Sequence, residues 1–424
     1  MSGEKYRKQI HVFTHGQGQD TPVLMGVLNV SEVRGKEIFS FEYDSEFLDS
    51  DWAIQIDPNL KLYSGPQYVP DNQVNFGMFL DSAPDRWGRV LMERREAAKA
   101  RVEERTPKRL MESDYLLGVY DKSRMGALRF KTEMDGPFLD NDDRHSTPPF
   151  TSLRELEHAS LALEDEESFD SQEYLQQLSL LVAPGSSLGG ARPKANVKSS
   201  DGSLWIAKFP SRKDEVDQGA WEYVVYQLAC KCGIKMAESK AEKYYSDRHT
   251  FLTKRFDRDK NGNRIHFFSG MTLLGYQDGA DAQAGVSYLE LVELLIQRGG
   301  NDIEQELEQL WRRIVFSVCV SNTDDHLRNH GFILTSKGIR LSPAYDINPN
   351  PKGYGLNLNI DEQNNELNTE LARSVAPYFR MDDPKAKSII KDIKKAVRGW
   401  ETISDSLSIS RREKNEMAKA FTNE

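Results

Sequence analysis

Cysteine is nearly absent. Cys230, Cys232 and Cys319 are the only three in 424 residues. So small and odd a number, with no Cys-x-x-Cys pair, argues against a disulfide framework and against a zinc site. No apolar run approaches the roughly 20 residues that span a bilayer. The N-terminal MSGEKYRKQI has no hydrophobic segment of signal-peptide type. These absences lead to the expectation of a cytoplasmic protein with no membrane role. Positive charge is also in deficit. The formal net charge is −10, so the surface as a whole is not that of a nucleic-acid binder. The Arg- and Lys-rich stretch 86–109 also carries Glu93, Glu96, Glu103 and Glu104. It therefore reads as a solvated, mixed-charge helix. Internal repeats and low-complexity tracts are missing as well. What is present is an ordinary apolar content, enough to bury a sizeable core in two or three domains.

Short apolar runs such as PVLMGVLNV and EIFSFEY make the first ~130 residues strand-rich. A helix is expected from about Pro84 to Lys99. Residues 132–150 are dense in Asp, Asn, Gly and Pro and read as a linker or exposed loop. Next comes a glycine-rich loop, APGSSLGGARPK, which leads to an expected strand, SLWIAKFPS. A helix follows from about Gln218 to Cys232. TFLTKRFDR then reads as a strand, Asn261-Gly262 as a two-residue hairpin turn and RIHFF as the returning strand. Beyond Gly270 the pattern becomes helical. Ser287 and Glu290 form a capping box, with Gly299 at the helix's C-terminal cap. A second helix starts near Asp302. Its Ile303, Leu307, Leu310, Trp311, Ile314, Val315 and Val318 fall on one stripe of 3.6-residue period. The resulting boundaries are 1–131 for a β-rich N-terminal domain, 132–150 for the linker, 151–269 for a lobe holding the glycine-rich loop, and 270–424 for a helical lobe.

The segment from Val320 reads VSNTDDHLRNHGFILTSKGIRLSPAYDINPNP. A helix end delivers a polar loop, GFILT forms a strand, Ser336-Lys337-Gly338 turns, and IRLSPA returns. In such a hairpin, residues entering the first strand lie beside those leaving the second. Asn329 and Asp346 should therefore meet, within reach of Asp324. Two carboxylates and a carboxamide suit Mg²⁺, a hard cation that takes oxygen ligands. Asn329 and Asp346 are the expected ligands, leaving Asp324 to accept or orient a hydroxyl proton. The Asp-x4-Asn spacing followed by a strand pair and an Asp matches the protein-kinase catalytic loop. His326 is read as structural, and Asp325 and His330 as structural or solvent-facing.

A phosphoryl-transfer site also needs a cation for the phosphates. Lys208 in WIAKFP lies inside an apolar strand, where an ammonium is costly unless it meets an anion. Glu222, on the next helix, could orient it. The loop from Gly185 to Lys194 could bring backbone N–H groups to phosphates. It is not a Walker A loop, because Ala191 stands where Lys is required.

Together, SSLGGARPKA, WIAKFP, the Trp221-Glu222 helix, TKRFDR, NTDDHLRN and PAYDI resemble the HipA-type serine/threonine kinases, toxins of bacterial toxin–antitoxin modules. SAPDRWGR and MGALRF are similar to segments of that family's N-terminal region. The resemblance implies an α+β fold, with a protein-kinase-like bilobal core, a β-rich N-terminal domain and a mostly helical C-terminal lobe. It implies ATP and Mg²⁺ as cofactors. Asp324 would be the catalytic base and Asn329 and Asp346 the metal ligands. ATP would meet Lys208, the segment Lys254 to Phe256, and Gly189, Gly190 and Ala191. Ser187, or the adjacent Ser186, would be autophosphorylated, adding about −1.5 to −2 charge where ATP phosphates should sit. The implied partners are a HipB-like helix-turn-helix antitoxin, operator DNA through that complex, and a protein substrate such as an aminoacyl-tRNA synthetase. Two other readings stay open: an inactive kinase-fold co-repressor, and a phosphohydrolase whose metal is held by Asp324, His326, His330 and Asp346.

Overall fold

The computed structural model describes residues 8–164, 178, 181 and 192–421. The chain divides into two units. One is Met1–Ala207 with Asp257–Phe268, and the other is Lys208–Phe256 with Ser269–Glu424. Among the described residues, no helix is long and apolar enough to cross a membrane.

The first unit is built on an antiparallel sheet of β1 (Lys8–Thr14), β2 (Val23–Val33), β3 (Lys36–Tyr43), β4 (Gln67–Tyr68) and β5 (Leu128–Lys131), in the order β4-β3-β2-β1-β5. Alternation sends Ile10, Val12, Leu28, Phe39 and Phe41 into its core. Helices α1 (Ser45–Leu48), α2 (Gly77–Leu80), α3 (Arg86–Val102), α4 (Glu112–Leu117) and α5 (Leu153–Leu163) complete it, followed by β6 (Lys194–Lys198) and β7 (Leu204–Lys208). The mixed charges of α3 pair as a solvated face would, Arg89 with Glu112 and Arg105 with Glu96.

The segment 257–268 departs from the expected hairpin. A bridge joins Arg258 to Arg264. The turn bond runs from Gly262 N–H to the Asp259 carbonyl, and Gly262 has φ +84°. Asn261-Gly262 therefore occupies the last two positions of the turn instead of its centre. The cause is Asp259, whose carboxylate accepts from the Asn261 and Asn263 N–H groups and shifts the turn by one residue. The returning strand is short, β10 (Phe267–Ser269).

The second unit contains α6 (Gln218–Lys231), β8 (Ser239–Glu242), β9 (Thr250–Lys254), α7 (Gly270–Leu274), α8 (Tyr288–Arg298), α9 (Ile303–Cys319), β11 (Gly331–Thr335), β12 (Gly338–Leu341), α10 (Thr369–Ser374), α11 (Asp383–Val397), α12 (Trp400–Ser406) and α13 (Arg411–Met417). The capping box at Ser287 and Glu290 is present. Gly299 caps α8 in an extended conformation, not a left-handed one. A Cβ there would lie 2.4 Å from the Leu295 carbonyl oxygen, so glycine permits a close approach. The apolar stripe of α9 is buried, but so are Glu306, Gln309, Arg313 and Ser317 on its other faces. Glu306, Gln309 and Arg313 meet backbone, and Ser317 meets the Asp325 carboxylate. Glu306 accepts from Leu341 N–H at 2.7 Å, and Arg313 donates to the Ser342 carbonyl at 2.6 Å. Such bonds offset the cost of burial. They also fasten the end of the β11–β12 hairpin to α9.

Candidate active site

Lys208 ends β7 and is 8 % exposed. Its ammonium lies 2.6 Å from Glu222 Oε1 and 2.5 Å from Asp346 Oδ1. Burial alone would favour the neutral amine. The Asp346 and Glu222 carboxylates outweigh it and raise the lysine above its ordinary value. The strand lysine has thus found its anions, as its apolar setting demanded. Glu222 is delivered by α6, whose first turn is tied down twice. Asp217 caps it by accepting from Ala220 N–H, and the same carboxylate lies 2.6 Å from His249 Nδ1.

The helix α9 ends at Cys319, and Ser321 reverses the chain with φ +52°. The polar loop follows. Asp324 is exposed, whereas Asp325 and Asn329 are buried. Asn329 Nδ2 donates to the Asp324 carbonyl at 2.9 Å and braces the loop. The Asp324 carboxyl is pushed up, first by partial burial and then by repulsion from Asp346 and Asp325, with His326 opposing. The influence of Asp346 places the two carboxylates in one electrostatic neighbourhood. Asp325 behaves oppositely. Burial works to raise it, but His330, the Tyr288 hydroxyl and His326 outweigh burial and hold it low. Tyr288 donates to it at 2.7 Å, and His330 Nε2 lies 3.0 Å from its other oxygen. Asp325 and His330 are therefore structural.

The β11–β12 hairpin pairs Phe332 with Leu341 and Thr335 with Gly338, and its exit carries Asp346. Asp346 has φ +56°, a left-handed conformation uncommon outside glycine. Such strain concentrates at functional positions that the surroundings hold in place.

The donor set fits Mg²⁺. Asn329 has its NH₂ committed to backbone, which leaves the carboxamide oxygen as the acceptor end of the group. Asp346 adds a carboxylate. Two hard oxygen donors, completed by phosphate and water, are what Mg²⁺ takes. An imidazole–carboxylate centre fares worse. Among the described residues, no group of three or more His, Cys, Asp and Glu side chains could hold a metal.

The model of the HipA-like C-terminal domain family matches residues 186–400, just over half of the chain. The chain belongs to the HipA-like family. Over its length this HipA-like chain shares the fold of Shewanella oneidensis HipA, solved with HipB and its operator DNA. That match has a TM-score of 0.64 at 16 % identity and covers 97 % of this chain and 95 % of the other. A Haemophilus influenzae protein named "Putative kinase" is 26 % identical over 195 residues, 41 % of this chain. The chain spans only 56 % of that relative's length.

In this HipA-like chain Lys208 is in direct contact with both Glu222 and Asp346, and the Asn329 side chain donates to the Asp324 backbone carbonyl. Lys254 ends β9, with its N–H donating to the Glu238 carbonyl at 2.7 Å and its ammonium 3.4 Å from Glu238 Oε2. Phe256 packs its ring 5.5 Å from that of Tyr345, next to Asp346 in sequence. Gly189, Gly190, Ala191, Ser186 and Ser187 lie outside the described residues. Sequence reasoning missed Asn348, whose Nδ2 donates to Asp346 Oδ1 at 3.2 Å, and Asn322, which is buried beside the loop. It also missed the direct Lys208–Asp346 contact. The Asn348 signal was its place two residues after Asp346. Nothing in the pattern separates it from loop composition.

Proposed function

We propose that this chain is an ATP- and Mg²⁺-dependent serine/threonine protein kinase, acting in the cytoplasm as the toxin of a toxin–antitoxin pair. The observation that carries the reading is the buried Lys208 ammonium held between Glu222 and Asp346, with Asp324 in the same electrostatic neighbourhood. Kinase chemistry asks for this division of labour. Lys208, oriented by Glu222, serves the nucleotide phosphates. Asn329 and Asp346 would hold Mg²⁺, which when bound would neutralise charge on the phosphate oxygens. Asp324, exposed and raised in pKa, takes the proton of a substrate hydroxyl as its oxygen bonds to the γ-phosphorus and the bond to ADP breaks. Adenine falls to the Lys254 to Phe256 segment, and phosphate contacts to Gly189, Gly190 and Ala191. Ser187, or Ser186, is the proposed autophosphorylation site. The proposed partners are a HipB-like antitoxin with its operator DNA, and a serine-bearing substrate such as an aminoacyl-tRNA synthetase.

The test is transfer of label from γ-labelled ATP to protein, with phosphoserine located by mass spectrometry. Transfer is expected to need Mg²⁺ and to disappear in Asp324→Ala and Lys208→Met. A wild-type chain that binds ATP yet transfers nothing to itself or to the synthetases would overturn the reading in favour of the co-repressor. Release of inorganic phosphate alone would favour a hydrolase.

A further inference from the structure

The segment that follows Asp346 is fastened to the start of the catalytic loop. Asn350 N–H donates to the Ser321 carbonyl at 3.1 Å, and Asn350 Nδ2 donates to Thr323 Oγ1 at 2.7 Å. Gly353 packs so closely on Thr323 that a Cβ there would fall 2.3 Å from its methyl group. Asn348 differs from these contacts because it touches both halves of the site. Its N–H donates to Asn322 Oδ1 at 3.2 Å, and its Nδ2 donates to Asp346 Oδ1 at 3.2 Å. Asn322 is 1 % exposed and donates in turn to Ser317 Oγ at 3.3 Å. Ser317 Oγ donates onward to Asp325 Oδ2 at 3.3 Å. A line of buried and half-buried hydrogen bonds therefore runs from Asp325, beside the reactive Asp324, to the carboxylate of Asp346.

We infer that Asn348 is a positioning residue that orients the Asp346 carboxylate for Mg²⁺ and ties that orientation to the catalytic loop through Asn322. The inference rests on the kinase reading. Asp346 is held in a left-handed backbone, and the groups that grip its carboxylate set the direction of that carboxylate. Lys208 grips Oδ1 at 2.5 Å, but in the proposed reaction Lys208 also serves phosphate. Asn348 is a second donor to the same oxygen and carries no charge to compete with the metal. Partners that orient a ligand in this way commonly set metal affinity by about 10- to 100-fold.

The test uses Mn²⁺ as the probe, titrated by electron paramagnetic resonance against full-length protein saturated with a non-hydrolysable ATP analogue. Asn348→Ala is expected to raise the Mn²⁺ dissociation constant about tenfold. Its affinity for the analogue without metal should stay within about twofold of wild type, and its melting midpoint should hold. Asn350→Ala is the control. It loses a bond from the same segment to Thr323 without touching Asp346, and should leave Mn²⁺ binding unchanged. Wild-type Mn²⁺ affinity in Asn348→Ala overturns the inference. So does equal weakening in Asn350→Ala, which would make Asn348 a general support of the loop. A wild-type chain stripped of phosphoserine by a phosphatase that still binds neither analogue nor Mn²⁺ overturns the kinase reading itself, a result distinct from either.

Discussion

Adjacent in sequence, Asp324 and Asp325 are driven in opposite directions by their surroundings. Asp325 is buried against His330 and the Tyr288 hydroxyl, and its carboxyl sits below the ordinary 3.8. Its stabilising effect is complete above the unfolded value and is lost as pH falls through the folded one. Asp324 sits above the ordinary value, so its ionised form is disfavoured in the fold and its contribution diminishes as pH rises. Two substitutions separate these roles. Asp324→Asn should abolish phosphoryl transfer yet melt at or above the wild-type temperature at pH 7. Asp325→Asn should melt lower, at a cost of about 2–3 kcal/mol for the lost charged hydrogen bonds. Parallel melting curves and transfer assays check both; an Asp324→Asn chain that melts well below wild type would contradict the assignment. At this scale the sequence was informative where chemistry demanded an uncommon pairing. A lysine in an apolar strand needs an anion, and a loop with Asp-x4-Asn before a hairpin ending in Asp suits a cation. Asn348 and Asn322 were illegible, because asparagine in a loop is explained by turn chemistry alone.

Gly219 decides how closely α6 lies on the start of β9. A Cβ at that position would stand 2.1 Å from the His249 carbonyl oxygen, a backbone atom that cannot swing aside. Glu222 is three residues on, within one helical turn of Gly219. Gly219→Ala should therefore push α6 outward and draw Glu222 away from Lys208. The expected cost is about 1–3 kcal/mol from overpacking, together with a fall in kcat of at least tenfold. Thermal melts and steady-state kinetics read the two effects separately. Elements with strong local signals were visible in advance. The stripe of α9, the capping box of α8 and the β11–β12 hairpin are present at the expected places. The Asn261-Gly262 turn was misread by one position, because a neighbouring aspartate side chain competed for the backbone N–H groups. The burial of the polar faces of α9 was also invisible, since it depends on carbonyl and N–H partners far away in sequence.

The first unit is not a continuous stretch of chain. It needs Asp257–Phe268 after Ala207. Asp257 accepts from Gly126 N–H at 2.8 Å, and the Arg258 guanidinium donates to the Asp257 and Arg124 carbonyls. The buried Arg264 reaches the carbonyls of Asp121, Arg124 and Gly126. Removing these donors would strand buried acceptors, each costing about 1–3 kcal/mol. A fragment ending at Ala207 should thus melt at least about 5 °C below the same fragment joined by a flexible linker to residues 257–268. Equal midpoints in calorimetry would show the insertion to be dispensable. The family resemblance implied the α+β class, but periodicity within short windows cannot report that a hairpin belongs with residues 130 positions earlier.

That arrangement has a bearing on the order in which the protein is made. Synthesis runs from the N-terminus, so the sheet and α3 leave the ribosome long before Arg258 and Arg264 do. Until Phe268 emerges, the carbonyls at positions 121, 124 and 126 must rely on water. By then Lys208 and Glu222 are already outside, whereas Asp324 and Asp346 have yet to be translated. The nascent chain thus completes its first unit before Lys208, Glu222, Asp324 and Asp346 exist together, and the proposed kinase activity must wait until Asp346 has been joined.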